Sequence, residues 1–288
     1  MIDIVLTILA FNILIIIFKF FDKLKIDNLQ ALIVNYFTAG FCAFLFTKQS
    51  IVVSEVLQSD FIYHAIAIGF LFIIVFNFYA TGTQRVGIAI TTVANKLSLF
   101  IPVAVAIIIY PNEKISLSKL IAFGLAAVSI YLSSTKNKKL NFDKKYLWLI
   151  ILVFVGQGIA DSIFNHAQQT AVNDDEKTLF FIVLFMMAGL SGLVILFFKS
   201  IKSKLKLSFK NVIGGIALGI PNYASLVFFF NALESSGLEA SQVFPVVSMG
   251  VIIISAIIGK LLFKEHLSLY NWLGLGIAII AIFIITFA

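Results

Sequence analysis

Two ionisable side chains, Lys96 and Asp161, lie near the middle of long apolar stretches of this sequence. An ionisable group at the centre of a bilayer costs at least about 2.5–3.5 kcal/mol on insertion scales, so such a group indicates function. Lys96 predicts a cation that binds an anionic or carboxylate-bearing substrate, and Asp161 predicts a proton carrier or a substrate ligand. The structural alternatives are a buried pair of the two residues or snorkelling of the lysine.

Polar neighbours accompany both charges. Asn95 precedes Lys96, and on a helix the two share one polar stripe. Gln157, Asp161 and Asn165 are spaced four residues apart, which gives an otherwise apolar helix one polar face. We expect that face to point into a helix bundle rather than into lipid. The predicted substrate site therefore contains all five residues.

Further polar side chains and prolines lie in the other apolar stretches. The additional candidate ligands are Asn12, Tyr79, Asn222, Tyr223 and Gln242. The alternative for each is a hydrogen bond between two helices. Candidate gating or kink positions are Pro102, Pro221 and Pro245, because proline frees a backbone carbonyl and permits a bend.

The elements that must position these residues are apolar spans. Hydrophobic residues form 61% of the 288-residue chain and charged residues 12%, against about 25% charged in soluble domains. A helical span needs about 20 residues, so about ten spans fit. The predicted segments are 2–21, 29–46, 61–81, 86–110, 117–135, 146–170, 178–199, 210–232, 238–263 and 267–287. Each should be a helix, because lipid cannot satisfy open backbone.

The spans divide into two similar halves. Residues 1–135 form an N-terminal five-helix repeat, 136–145 a basic connector, and 146–288 a C-terminal five-helix repeat. The matching stretches are 87–93 with 237–243, 113–116 with 265–268, and 122–124 with 274–276. Because five is odd, the halves must have opposite orientations. The predicted fold class is an all-α membrane protein of ten transmembrane helices, arranged as two inverted repeats around a central cavity, with a site near the bilayer midplane.

The same stretches resemble the drug/metabolite transporter superfamily in its EamA-like branch. The resemblance covers nearly the whole chain and is best in the second half, at Gly237, Ala240, Pro245 and the Glu265-His266-Leu267-Ser268 motif. The first half departs from the pattern, since Asn95 stands where the second half has Pro245. The resemblance implies ten helices around a central cavity, with spans five and ten peripheral. It says little about the substrate.

The basic residues give conflicting orientations. Sixteen of the 21 lysines and arginines flank the odd-numbered loops and four the even-numbered ones, with Lys96 inside a span. The positive-inside rule then places both termini outside. The family resemblance instead implies termini inside. Short loops and the absence of a targeting segment favour a multi-pass protein of a bacterial-type cytoplasmic (inner) membrane.

Enzyme signatures are absent from the sequence. Three histidines lie in separate segments, there is one cysteine, and no phosphate-binding glycine loop occurs. We therefore expect no catalytic residue, metal or cofactor, and despite the net charge of +7 no nucleic-acid partner.

The predicted function is secondary transport of a small polar metabolite, with an amino acid or organic acid favoured, by alternating access. Protons are a candidate coupling ion. The partners are the lipid bilayer and the small-molecule substrate, and the protein is a monomer or homodimer. The alternatives are a multidrug or cationic compound exporter, or a non-transporting scaffold or accessory subunit.

Overall fold

Twelve α-helices make up nearly all of the described chain. The structure, a computed structural model, describes residues 2–47, 51, 53–109, 116–136, 139–140, 143–173, 176–202, 207–235 and 240–287. Its helices are α1 Ile2–Lys23, α2 Asn28–Phe46, α3 Val53–Gln58, α4 Ile62–Arg85, α5 Ile88–Leu97, α6 Phe100–Ile109, α7 Leu117–Ser133, α8 Leu147–Thr170, α9 Lys177–Lys202, α10 Phe209–Ser235, α11 Ala240–Leu261 and α12 Leu269–Thr286. Two-residue strands β1 (Thr135–Lys136) and β2 (Lys139–Leu140) pair in the basic connector.

Eight helical segments of the described chain are long and apolar enough to cross a membrane: α1, α2, α4, α5 with the start of α6, α8, α9, α10 and α12. Two shorter apolar helices are α7 and the part of α11 from Pro245 to Leu261. The prediction of an all-helical, multi-pass membrane architecture is confirmed at this level.

The starts of α7 and α12 are fixed by serines at matching positions of the two halves. Ser116 Oγ accepts a hydrogen bond of 3.1 Å from the backbone N–H of Lys119. Ser268 caps α12 in the same way and forms a capping box with Asn271. Such caps satisfy backbone donors that a helix start leaves open. The Ser of the Glu-x-aliphatic-Ser motif therefore has a local structural role in α12.

Helices α1, α2, α4, α8, α9, α10 and α11 surround one apolar core, and α7 packs mainly against α12 beside it. The largest fully buried side chains of the main core include Phe18, Phe21, Tyr36 and Phe185. The pair α7–α12 is held by packing and by Ser129 Oγ, which donates 2.8 Å to the Gly274 carbonyl. Many large apolar side chains face outward, as expected where lipid is the solvent.

Helices α2 and α10 approach closely along a Gly-x-x-x-Gly row, Gly215 and Gly219. A Cβ atom at position 215 would lie 2.5 Å from the Ala31 carbonyl oxygen. Membrane helices use small residues in this spacing to bring backbones together.

The Gly215→Ala substitution should therefore force α2 and α10 apart, at an overpacking cost of about 1–3 kcal/mol. The measurement is the thermal unfolding midpoint in detergent. The control is Gly276→Ala, since a Cβ there meets nothing within 4 Å and alanine favours a helix by about 0.5–1 kcal/mol. Equal midpoints for the two variants would contradict close packing at Gly215.

The ends of several helices meet at one face of the bundle. Lys210 Nζ at the start of α10 donates 2.9 Å to the Leu24 carbonyl at the end of α1. Asn211 Nδ2 donates 2.8 Å to Gln30 Oε1 at the start of α2. These contacts join the ends that the odd-numbered loops connect, and we call this side the basic face.

Candidate functional site: a polar cluster between α5 and α8

The fourth predicted span is not one continuous helix. Helix α5 ends at Leu97 and α6 begins at Phe100, with a tight turn between them. The turn is made by Ser98 N donating 3.3 Å to the Asn95 carbonyl and Ile101 N donating 2.9 Å to the Ser98 carbonyl. Pro102 follows and has no N–H with which to continue the α-helical ladder back to Ser98. The predicted span over 86–110 corresponds to the membrane-long segment Ile88–Val105, which the turn at Ser98 and Leu99 divides into α5 and α6.

Four side chains join α5 to α8 at this break. Asn95 Nδ2 donates 3.2 Å to Gln157 Oε1, and Gln157 Nε2 donates 2.7 Å to Asp161 Oδ1. Ser98 Oγ lies 3.4 Å from Asp161 Oδ2. We call Asn95, Ser98, Gln157 and Asp161 the α5–α8 cluster. It brings together one stripe from the first half of the sequence and one from the second.

One carboxylate oxygen of Asp161 is only weakly held. Ser98 has a single hydroxyl hydrogen, and its oxygen is 2.5 Å from the Asn95 carbonyl and 3.4 Å from Asp161 Oδ2. At these distances the backbone carbonyl is the better acceptor for that hydrogen. Asp161 Oδ2 can therefore still bind a proton or accept a hydrogen bond from a cationic group.

Lys96 stands at the end of α5, next to the cluster. Its Nζ lies 4.1 Å from the centroid of the Phe11 ring on α1, a cation–π contact. Lys96 and Asp161 interact electrostatically, yet among the described ion pairs of 4.0 Å or less the two do not form one. The structural alternative of a direct pair therefore does not describe this conformation. Each charge is held by uncharged groups.

Two other predicted ligands are linked to α5, Tyr79 by its own contact and Asn12 through its neighbour Phe11. Tyr79 Oη is 3.2 Å from Thr92 Oγ1, one turn before Asn95 on α5, and so ties α4 to α5. Asn12 follows Phe11 on α1, and its Nδ2 donates 2.8 Å to the Ile8 carbonyl. The buried Asn12 Oδ1 has no hydrogen-bond partner in the described residues.

Three of the remaining predicted ligands have other surroundings in the described structure. Asn165 is exposed near the end of α8. Asn222 Nδ2 donates 3.2 Å to Asn35 Oδ1 between α10 and α2. Tyr223 stacks on Phe46 with ring centroids 5.9 Å apart. The Gln242 side chain lies outside the described residues.

The three predicted kink positions differ. Pro102 lies three residues after the break between α5 and α6, whereas α10 and α11 continue through Pro221 and Pro245. The break thus interrupts the helix that carries Lys96.

Glu265 forms a second polar network, at the basic face. Its Oε1 lies 2.9 Å from Lys19 Nζ. Both carboxylate oxygens accept from the Ile88 N–H, at 2.9 and 3.0 Å, so Glu265 caps α5. Lys19 also donates 2.8 Å to the Thr83 carbonyl. Gly87, which precedes α5, has a φ of +125°, a backbone conformation that glycine adopts readily and other residues rarely adopt.

Sequence reasoning missed Ser98 and the role of Glu265. The signal for Ser98 was its position four residues before Pro102, where a proline leaves a carbonyl without its helical donor. The signal for Glu265 was a carboxylate in the loop before α12, since carboxylates favour helix N-termini. No cluster of three or more metal-ligating side chains occurs in the described part of the chain.

The fold and the partly buried polar cluster define an α-helical, multi-pass membrane protein. No family model matches the chain. The chain is 31% identical over 276 residues to an uncharacterized protein of Haemophilus influenzae, an alignment that covers 93% of this chain and 91% of that protein. The chain belongs to the family of that Haemophilus protein. A solved structure titled only as the crystal structure of a protein matches with a TM-score of 0.58 and 15% identity, over 99% of this chain and 98% of that one. This likeness concerns the fold alone.

Proposed function

We propose that this protein is a secondary transporter that moves a small polar metabolite by alternating access. The observation that carries the proposal is the arrangement of Lys96 and Asp161. Both lie on helices that are apolar enough to span a membrane, and neither is neutralised by the other at ion-pair distance. Two separately held charges in an apolar bundle are costly for stability alone. They suit a ligand that carries both an anionic and a polar or cationic group.

The broken helix supports this proposal. Transporters place their sites where a membrane helix is interrupted, because the half-helix ends offer backbone groups and partial charges to a ligand. Here the C-terminal end of α5 and the N-terminal end of α6 meet at Ser98, beside Asp161. Irregular backbone at membrane depth is tolerated where it is buried in protein or lines a cavity.

We further propose the fold as ten spans in two inverted five-helix repeats around a central cavity. The two shorter apolar helices, α7 and α11, would complete the ten. Ser116 and Ser268 cap equivalent helices of the two halves, and those helices pack on each other, as an inverted pair would. This arrangement agrees with membership of the EamA-like branch of the drug/metabolite transporters, with a peripheral fifth and tenth span.

The favoured substrate is an amino acid or organic acid. Lys96 would receive its carboxylate, because a cation–π contact with Phe11 holds the ammonium without neutralising it. Asp161 would receive an ammonium group or a coupling proton. We place the protein in a bacterial cytoplasmic membrane. The basic face would be cytoplasmic by the positive-inside rule.

A ligand screen tests this function. Purified protein would be melted in detergent with amino acids, organic acids and cationic drugs, since a bound ligand raises the midpoint by mass action. We expect a carboxylate ligand to stabilise the wild type, and Lys96→Met to lose at least about tenfold in affinity, the worth of roughly 1.4 kcal/mol. Lys145→Met, at an exposed ion pair, is the control. Equal ligand affinity in both variants would exclude Lys96 from the site.

Export of a cationic compound is the second candidate. It is favoured by Asp161, whose Oδ2 has no strong donor and no cation within 4.0 Å in the described residues. A cationic drug that stabilises the wild type and Lys96→Met equally, but not Asp161→Asn, would select this candidate.

A non-transporting scaffold is the alternative from another class. It requires the cluster to be closed to water in every state. In a Cys42→Ala background, Asp161→Cys would report this: reaction with a small polar thiol reagent supports transport, and complete protection supports the scaffold.

A further inference from the structure

A cleft with a volume of about 400 Å³ opens at the basic face, apart from the α5–α8 cluster. It lies among the end of α1, the start of α2, the end of α4 and the end of α9. Its charged lining residues are Asp22, Lys25, Asp27, Arg85 and Lys199. The volume is in the range of small-molecule sites. The cleft takes no part in the function proposed above.

The two acidic groups of the cleft already have partners. Asp27 Oδ1 accepts 3.0 Å from the Gln30 N–H as the cap of α2, and its Oδ2 is 3.5 Å from Lys199 Nζ. Asp22 Oδ1 is 3.9 Å from Arg85 Nη2. The carboxylates thus balance Lys199 and Arg85. Lys25 adds a positive charge that neither acidic group offsets, so the lining has an excess positive charge.

Lys25 stands in an unusual backbone position. Its φ is +53°, in the left-handed region where a glycine would be less strained. The residue closes the end of α1, since Ile26 N donates 2.8 Å to the Phe21 carbonyl. Lysine at this position places an ammonium at the cleft but has a conformational cost. Glycine would form the same turn without that cost.

Exposed apolar side chains precede two of the basic lining residues in the chain. Leu24 precedes Lys25, and Phe197 and Phe198 precede Lys199; all three are more than half exposed. Amide groups add neutral polar lining, notably Asn28, whose Nδ2 donates 3.1 Å to Gln84 Oε1. A cationic polar cleft beside lipid-facing apolar side chains fits a ligand that is anionic at one end and apolar at the other. A free phosphate ester has no apolar part that could contact these side chains.

We propose that this cleft binds the phosphate headgroup of an anionic phospholipid. Lys25 contacts the phosphate and supplies the excess positive charge, Arg85 and Lys199 stay paired with Asp22 and Asp27, and the acyl chains lie along the exposed side chains of α1 and α9. Basic pockets between membrane helices bind anionic headgroups through this combination of charges. The bound lipid would bridge α1, α4 and α9.

The test adds lipids of matched acyl chains to the delipidated protein in detergent and follows the thermal midpoint. We expect phosphatidylglycerol to raise the midpoint in a saturable manner and phosphatidylcholine to raise it much less. Lys25→Gly keeps the positive φ and removes the ammonium. It should weaken phosphatidylglycerol binding about fivefold, the worth of one basic residue near an anionic lipid.

Lys264→Gly is the matched control. Lys264 also has a positive φ, of +54°, and does not line the cleft. Its removal should leave lipid binding unchanged. Equal weakening by the two variants, or equal stabilisation by both lipids, would overturn the proposal. Glycerol 3-phosphate or inorganic phosphate that stabilises as strongly as phosphatidylglycerol would overturn the assignment to a lipid.

Discussion

Replacing Glu265 with alanine is expected to lower the free energy of unfolding by about 1–3 kcal/mol, the cost of leaving a partly buried hydrogen-bonding group without its partner. The side chains of Lys19 and Glu265 are only 18% and 13% exposed, and their charged atoms are 2.9 Å apart. The variant would leave the Lys19 ammonium without its counter-charge. The Ile88 N–H would also lose the carboxylate that caps α5.

The thermal midpoint in detergent is the measurement. A matched control is Asp143→Ala, because Asp143 and Lys145 are also 2.9 Å apart but more than half exposed. Exposed pairs contribute little, so this variant should melt close to the wild type. If Glu265→Ala and Asp143→Ala shift the midpoint equally, burial does not govern the Glu265 pair.

A double variant separates the two causes of the Glu265 effect. Lys19→Met with Glu265→Ala removes the stranded charge but still leaves the α5 start uncapped. We expect the double variant to regain part of the stability lost in Glu265→Ala, as a non-additive pair in a mutant cycle. If the double variant loses the sum of what Lys19→Met and Glu265→Ala lose separately, capping of α5, rather than the stranded lysine charge, is the main contribution.

The network also has a mechanical consequence under the proposed function. Glu265 lies between α11 and α12, whereas Lys19 is on α1 and Ile88 begins α5, so the contact crosses the two halves of the sequence. Alternating access requires such contacts at one face to break when that face opens. Glu265 would then stabilise the state in which the basic face is closed.

The sequence predicted Glu265 as part of a motif but not its partners. The residue that it caps is 177 positions away in the chain, and local pattern carries no information about which helix start a loop will reach. By contrast, the Ser268 cap depends only on residues three positions apart, and the motif already shows it. Local propensity determines the Ser268 cap of its own helix, whereas tertiary packing determines which helix start Glu265 caps.

The same distinction explains the candidate site. Apolar stretches interrupted by polar residues at helical spacing correctly indicated an all-helical membrane architecture, and they gave each polar residue a depth. They did not give it a neighbour. Gln157 and Asp161 meet Asn95 in the structure, whereas Asn222 meets Asn35 in another helix pair. Hydropathy gives the position of a polar residue along its span. Which neighbouring helix the residue faces depends on how the helices pack, and many helix faces are similar.

The break before Pro102 was also out of reach of periodicity. The polar residues Asn95, Lys96 and Ser98 carry no turn signal of the Gly or Pro kind before Pro102, so the sequence predicts a continuous span. Pro102 lacks the N–H that would bond the Ser98 carbonyl, and that carbonyl accepts instead from the Ile101 N–H. The Ser98 hydroxyl separately bonds the Asn95 carbonyl. The result is a serine hydroxyl and a carboxylate that lie side by side at the turn.

Replacing Asp161 with asparagine is the second large-effect prediction. Asparagine keeps the size of the side chain, its oxygen can still accept from Gln157 Nε2, and its amide can donate to Ser98 Oγ. The fold should therefore survive with a similar thermal midpoint. The variant loses the negative charge of the carboxylate and, with it, the ability to take up and release a proton.

If Asp161 is the proton carrier, Asp161→Asn should lose gradient-driven accumulation in proteoliposomes, on the order of tenfold or more, because intramembrane carboxylates serve as proton relays. It should retain exchange of labelled for unlabelled substrate, which needs no net proton movement. The ligand found in the thermal screen is the substrate for both assays, and Asp143→Asn is the control. Asp143→Asn should show accumulation and exchange at the wild-type level.

The contrast between the two assays decides what Asp161 does. A variant that loses accumulation and keeps exchange has a coupling defect, since binding and rocking of the halves are intact. A variant that loses both assays in equal measure has lost substrate binding, which would contradict the carrier role and make Asp161 a ligand. Full accumulation with wild-type pH dependence would remove the carboxylate from the mechanism. In that case the proton, if one is used, must be carried elsewhere than on the weakly held Oδ2 beside Ser98.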